Sequence, residues 1–82
     1  MSSFNSVINV IDSIEDRTVL EDFLVGITTP KERVEIGQRL EIVERLLRKE
    51  PQHKIAGDLG VGVATVTRGS KELQDGKFKV LR

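Results

Sequence analysis

Arg39 is the charged residue whose position raises the first chemical question. At about 100° per residue, the stretch from 36 to 47 winds Ile42, Leu46, Val43, Ile36, Leu47 and Leu40 into one apolar arc roughly 160° wide, and Arg39 falls inside it. Either its stem lies on apolar surface while its head reaches water, or a ligand or partner meets the guanidinium there. A second constellation lies in "GVATVTRGSKEL", residues 62 to 73. Wound as a helix from Val63 to Leu73, it turns Val66, Gly69 and Leu73 to one side. Ala64, Thr67 and Lys71 face the other, with Arg68 at the edge of the outer face. That outer face is small where it begins and cationic further along. A helix entering a major groove needs that order, because small side chains let the backbone approach base edges while cations or hydroxyls hold phosphates. Gly62, Val63 and Thr65 open the same helix and belong to the candidate DNA-contacting set.

Other chemistries find no support. The chain has no cysteine, hence no disulfide framework and no thiolate site. His53 is the sole histidine and has no metal-ligand company, so it reads as an exposed polar residue within reach of a phosphate. "GVG" lacks the third glycine and the preceding strand of a dinucleotide fingerprint, and no glycine precedes Lys and Ser/Thr at phosphate-loop spacing. Ser70 and the acidic residues form no nucleophile-base arrangement. The expectation is a protein that is not an enzyme and holds no metal.

What positions these residues is a small domain. At 82 residues a monomer buries a modest fraction of its surface, and three phenylalanines without Trp or Tyr thin the core further. Self-association is the remaining remedy where no cysteine staples the chain. The net charge is zero, but it is unevenly spread: −4 over residues 1–26, +1 over 27–50 and +3 over 51–82. A locally cationic C-terminal third points toward a polyanion, or simply toward a solvated surface. No run approaches the roughly 18 apolar residues of a membrane span, and no basic start precedes an apolar block, so a soluble cytoplasmic protein is expected.

The elements follow from periodicity. Phe4, Val7, Ile8, Ile11 and Ile14 recur at helical spacing, and Val19, Leu20, Phe23 and Leu24 repeat the pattern beyond the break Glu15-Asp16-Arg17. Two short helices or one kinked helix are expected there, ended by Gly26. Thr29 can cap the next helix, Pro30 suits its first position and Glu32 its first turn. That helix runs to about Lys49 and is stopped by Pro51. In "PQHKIAGDLG", Ile55 and Leu59 make a short apolar face and Ala56 admits a neighbouring helix. Gly60 supplies the left-handed end, and Val61 plugs the corner before the helix that begins near Gly62. Short helix, glycine turn, second helix is a helix-turn-helix. The tail turns at Gly76 and then forms a short helix, a packed arm or a disordered end. The chain thus divides into N-terminal helices (1–28), a central core helix (29–50), a helix-turn-helix (51–73) and a tail (74–82), within a single all-α domain.

"TPKERVEIGQRLEIVERLLRKE" (29–50) followed by "LGVGVATVTRGSKEL" (59–73) resembles the tryptophan operon repressor family. The resemblance implies an all-helical, intertwined homodimer whose N-terminal helices build a shared core, so that 1–28 become dimerisation helices. It implies an indole held between Arg39 and Arg68, where stacked guanidinium planes contribute roughly 0.5–2 kcal/mol each. Thr29 matches a carboxylate-contacting threonine, and Gly26 and Thr28 fall where backbone carbonyls approach the ligand's amino group. Glu72 stands where the family carries Ser; it either pairs with the ligand ammonium or signals a different ligand. The turn at Lys49-Glu50-Pro51 is one residue shorter than in the family and bears on how Gln52, His53 and Lys54 meet phosphates. The C-terminal helix is also shorter, which places more of the dimerisation on residues 4–24.

The function implied is a dimeric repressor that binds a double-stranded operator when L-tryptophan, its co-repressor, wedges the helix-turn-helix outward. One alternative is a repressor-like DNA-binding protein with a different small-molecule ligand or none. A second is a helical protein-interaction domain that binds no DNA.

Overall fold

The computed structural model describes residues 2–82, in which five α-helices and one 3-10 turn are found and no strand. By its internal contacts the chain falls into two units, one ending at Arg33 and the other beginning at Val34.

In the first unit, helix α1 (Phe4–Ser13) starts from a reciprocal cap in which Ser3 and Ser6 each accept the other's backbone N–H. Helix α2 (Arg17–Ile27) is capped by the Asp16 carboxylate, which accepts the Thr18 N–H at 2.8 Å. The charged break therefore separates two helices, because Asp16 is more useful as a cap than inside a helix. The second helix does not stop at Gly26 but continues to Ile27. Its end is held by the Arg33 guanidinium, which donates to the carbonyls of Val25 (3.0 Å) and Thr28 (2.9 Å). No residue of either helix is buried, and Phe4 (79 %) and Ile27 (51 %) are among their exposed apolar side chains.

Helix α3 (Pro30–Leu47) begins with the expected cap. Thr29 accepts the Glu32 N–H at 3.1 Å, the Glu32 carboxylate accepts the Thr29 N–H at 2.8 Å, and Pro30 takes the first position. These bonds hold the Glu32 carboxyl below its ordinary pKa, the backbone N–H being the larger cause. The helix ends two residues before Lys49, which adopts a left-handed conformation (φ 66°). Lys49 donates its N–H to Leu46 and Glu50 to Arg45, closing a Schellman motif with lysine where glycine is usual.

The second unit carries the core. Helices α4 (Gln52–Leu59) and α5 (Val63–Gln74) meet through Ile55, Ala56 and Val66, with Ile42 of α3 buried in the same cluster. Leu46, Leu59 and Val61 pack around it. Each fully buried aliphatic side chain of this kind is worth about 1.5–3 kcal/mol. Gly60 (φ 66°) ends α4, and the Val61 N–H returns to the Ala56 carbonyl at 3.1 Å. The apolar arc of α3 is divided: Ile42 and Val43 are buried, whereas Ile36 and Leu40 are about half exposed. Gly76 (φ 89°) ends the last helix, and the tail finishes in a 3-10 turn over Lys79–Leu81. The tail is tied back by Arg82, whose guanidinium donates to the carbonyls of Leu73 and Lys77. Among the described residues no helix is long and apolar enough to cross a membrane.

Candidate functional site

A cavity of about 400 Å³ opens in the second unit, between α3, the start and middle of α5, and the tail. Arg39 reaches it from α3; Arg68 and Glu72, one turn apart on α5, reach it from the other side. Ile42, Val43 and Gly69 form its apolar floor, and Phe78 of the tail joins the wall. The space depends on Gly69 in part: a methyl group there would lie 3.3 Å from the Ile42 side chain, so its absence lets α5 approach α3 closely. Arg39, placed by winding inside an apolar arc, is thus exposed at one end of a cavity whose floor is apolar.

Three of the six candidate ligand contacts, Arg39, Arg68 and Glu72, are brought together here. Gly26, Thr28 and Thr29 belong to the first unit, and this cavity is lined from the second alone. Thr29 spends one acceptor site of its hydroxyl on the Glu32 amide, which leaves the O–H itself to donate. The Thr28 carbonyl already accepts from Arg33.

The outer face of α5 matches the winding. Ala64, Thr67 and Lys71 are exposed, Val66 is fully buried, and Gly69 and Leu73 are half-buried. Gly62, Val63 and Thr65 are also exposed. Gly62 offers no side-chain cap, and the amides of Val63 and Ala64 meet no acceptor among the described residues. Ala64 and Thr65 also line the cavity, so the N-terminal turn of α5 is shared between pocket and outer face. On α4, His53 and Lys54 are exposed and Gln52 is half-buried. The Thr67 hydroxyl lies 2.9 Å from the side-chain Oε1 of Gln52 and 3.0 Å from the backbone carbonyl oxygen of Val63, and can donate to either; the first of these links the two helices on this face. Lys54 is not a free cation: it lies 3.4 Å from Asp58 and 3.9 Å from Glu50.

Reading the sequence alone misses the centre of that ion cluster, Arg45. Its side chain is nearly buried, donating to Glu50 at 2.8 Å from Nε and to Asp58 at 2.5 Å from Nη2. Arg45 thereby fastens the end of α3 to α4. Hydrogen bonds from Arg45 hold both carboxyls below their ordinary pKa, and those carboxylates raise the pKa of the guanidinium in turn. Phe78 is the other omission at the site. The only sequence signal for it was a lone aromatic placed just after a glycine turn.

This arrangement has relatives. The chain is 39 % identical over 72 residues to a protein of Vibrio campbellii named Trp operon repressor homolog, an alignment covering 87 % of this chain and 72 % of that one. It is 37 % identical over 75 residues to the homolog of Actinobacillus succinogenes, covering 90 % and 74 %. A shorter match, 47 % identical over 55 residues, is to the homolog of Mannheimia succiniciproducens and covers 66 % and 54 %. The model of the Trp repressor protein family matches residues 2–80. With helix-turn-helix, cavity and relatives in agreement, the chain belongs to the Trp repressor protein family, a family of transcriptional regulators and not of enzymes.

Proposed function

We propose that the chain is a homodimeric, cytoplasmic transcriptional repressor that binds a double-stranded operator through α4 and α5 and is activated by L-tryptophan. The observation that carries this reading is the shared turn of α5. Ala64 and Thr65 line the cavity beside Arg39 and Arg68 and also open the helix whose outer face bears Thr67 and Lys71. A ligand seated in the cavity bears on the helix that meets DNA, and it activates by favouring the orientation in which that helix fits the groove. Arg39 and Arg68 stack on the indole, and the carboxylate of Glu72 accepts from the ligand ammonium.

On the DNA side, the open amides of Val63 and Ala64 favour a phosphate at the start of α5. Gly62, Ala64, Thr65 and Thr67 lie near base edges, and Lys71, Gln52, His53 and Lys54 serve the backbone. Lys54 trades its contacts to Asp58 and Glu50 for a phosphate on binding. Pairing of two chains is supported by the apolar side chains left open on α1, α2 and the first half of α3, including Phe4, Val34 and Ile36.

Calorimetry with L-tryptophan and a salt-series gel shift test this together. Arg39→Ala and Arg68→Ala should each weaken tryptophan binding by roughly 2- to 30-fold, the loss of one cation–π contact. Operator binding should fall steeply with salt. Wild-type protein indifferent to tryptophan at millimolar concentration would reject the co-repressor role, and no DNA binding even at low salt would reject the operator role.

A further inference from the structure

Arg45 and Lys54 compete for the same two oxygens. On Asp58, Oδ2 lies 2.5 Å from Arg45 Nη2 and 3.4 Å from Lys54 Nζ. On Glu50, Oε1 lies 2.7 Å from Arg45 Nη2 and 3.9 Å from Lys54 Nζ. The guanidinium is the nearer partner at both. It adds a second bond to Glu50 from Nε at 2.8 Å, while Arg48 holds the other Glu50 oxygen at 3.2 Å. A planar fork thus takes up both carboxylates at once, which the point charge of an ammonium does less well. Lys54 is left with the longer contacts, and its side chain is 57 % exposed against 9 % for Arg45. Exposed lysine–carboxylate contacts of that kind hold the side chain weakly.

Arg45 is too buried to meet a nucleic acid itself, but it governs a cation that can. We propose that Arg45 is a positioning residue for DNA binding that acts through Lys54: by neutralising Glu50 and Asp58 it keeps the Lys54 ammonium free to leave them for a backbone phosphate. This rests on the reading above that Lys54 serves the DNA backbone, and it names what makes that exchange possible. Without the guanidinium, Lys54 would be left as the cation between Asp58 Oδ2 and Glu50 Oε1. Its charge would then be held inside the protein. With the guanidinium in place, the departure of Lys54 leaves both acids still paired, so the incoming phosphate does not face two uncompensated carboxylates.

The test is a double-mutant cycle read from a salt-series gel shift of the full chain, with L-tryptophan at one millimolar-range concentration. Mixed-sequence double-stranded DNA is a sufficient probe, because phosphate contacts do not depend on sequence. Lys54→Ala should reduce the slope of log affinity against log salt by about 0.9 per protomer, which is about eightfold in affinity at 0.1 M salt. Arg45→Met should reduce the slope by about the same amount, although it removes no phosphate contact. The two together should lose no more than either alone. Adding Asp58→Asn to Arg45→Met should restore part of the slope by loosening the hold on Lys54, a rescue that lost helix packing would not give. Arg45→Lys, which cannot fork onto two carboxylates, should show a smaller loss of the same kind and serves in the cycle if circular dichroism shows the methionine variant unfolded. A wild-type slope in the folded Arg45 variant, or losses that simply add in the double variant, overturns the role of Arg45 and leaves the reading of Lys54 standing. If Lys54→Ala keeps the wild-type slope, or the wild type binds no DNA, both fall.

Discussion

Lys49 and Gly60 end successive helices at the same backbone angle, φ 66°, and they make a matched pair of experiments in opposite directions. For a residue with a side chain the left-handed conformation costs about 1–2 kcal/mol. Gly60→Ala introduces that cost without a steric complication, because a Cβ at Gly60 meets no atom within 4 Å. Alanine also restricts the unfolded chain, which returns about 0.4–1 kcal/mol, so the net loss is about 1 kcal/mol. Lys49→Gly reverses both effects and should gain about the same amount. Urea unfolding followed by circular dichroism, at one fixed protein concentration, reads both. With a slope of about 1–3 kcal/mol per molar, the midpoints should move apart from the wild type by roughly 0.3–1 M, downward for Gly60→Ala and upward for Lys49→Gly. Gly60 also sets the angle between α4 and α5, so its variant should weaken operator binding while Lys49→Gly leaves it near wild type. Shifts of the same sign in the two variants would refute the backbone account.

Two further outcomes follow from the core and the ion cluster. Ile55 is fully buried where α4 meets α5, and Ile55→Ala should lower unfolding free energy by about 2–5 kcal/mol, with Val80→Ala, at a position 92 % exposed, as the silent control. A cost for Ile55→Ala no larger than for the control would refute the assignment of the core. Glu32, Glu50 and Asp58 have folded pKa values below their unfolded ones, so their stabilisation is present above about pH 5 and is lost as pH falls through the ordinary carboxylate range near 4 toward the folded values. Thermal melts from pH 7 to pH 3 should show that loss, and Arg45→Met should flatten it by removing the main cause at two of the three groups; an unaltered slope would count against the cluster.

What could be seen in the sequence was local. Thr29, Pro30 and Glu32 are a cap spelled out in four consecutive positions, and the structure closes it with two hydrogen bonds. Gly60 and Gly76 mark helix ends because their conformations exclude most other residues. The inner and outer sides of α5 follow from winding alone, as does the surprising place of Arg39. What escaped depends on distant partners. Arg45 is one of several cations on α3, and nothing nearby says that Asp58, thirteen positions on, will take its charge. Arg33 holds the end of the preceding helix, a role set by how the chain turns before α3 and not by any residue pattern within it. Phe78 reaches the cavity on a tail whose path is fixed by Arg82 grasping the end of α5. The α3 arc was read as one continuous stripe, yet only its C-terminal part finds cover within the second unit.

The uncovered Phe4, Val34, Ile36 and Leu40 also bear on supply. If these side chains are sheltered by a second copy, folding becomes a mass-action event, and scarce protomers spend more time open. Proteases remove open chains, so dilute material is cleared faster than abundant material. The intact pool then responds to synthesis more steeply than in proportion, and a modest fall in gene expression would empty it.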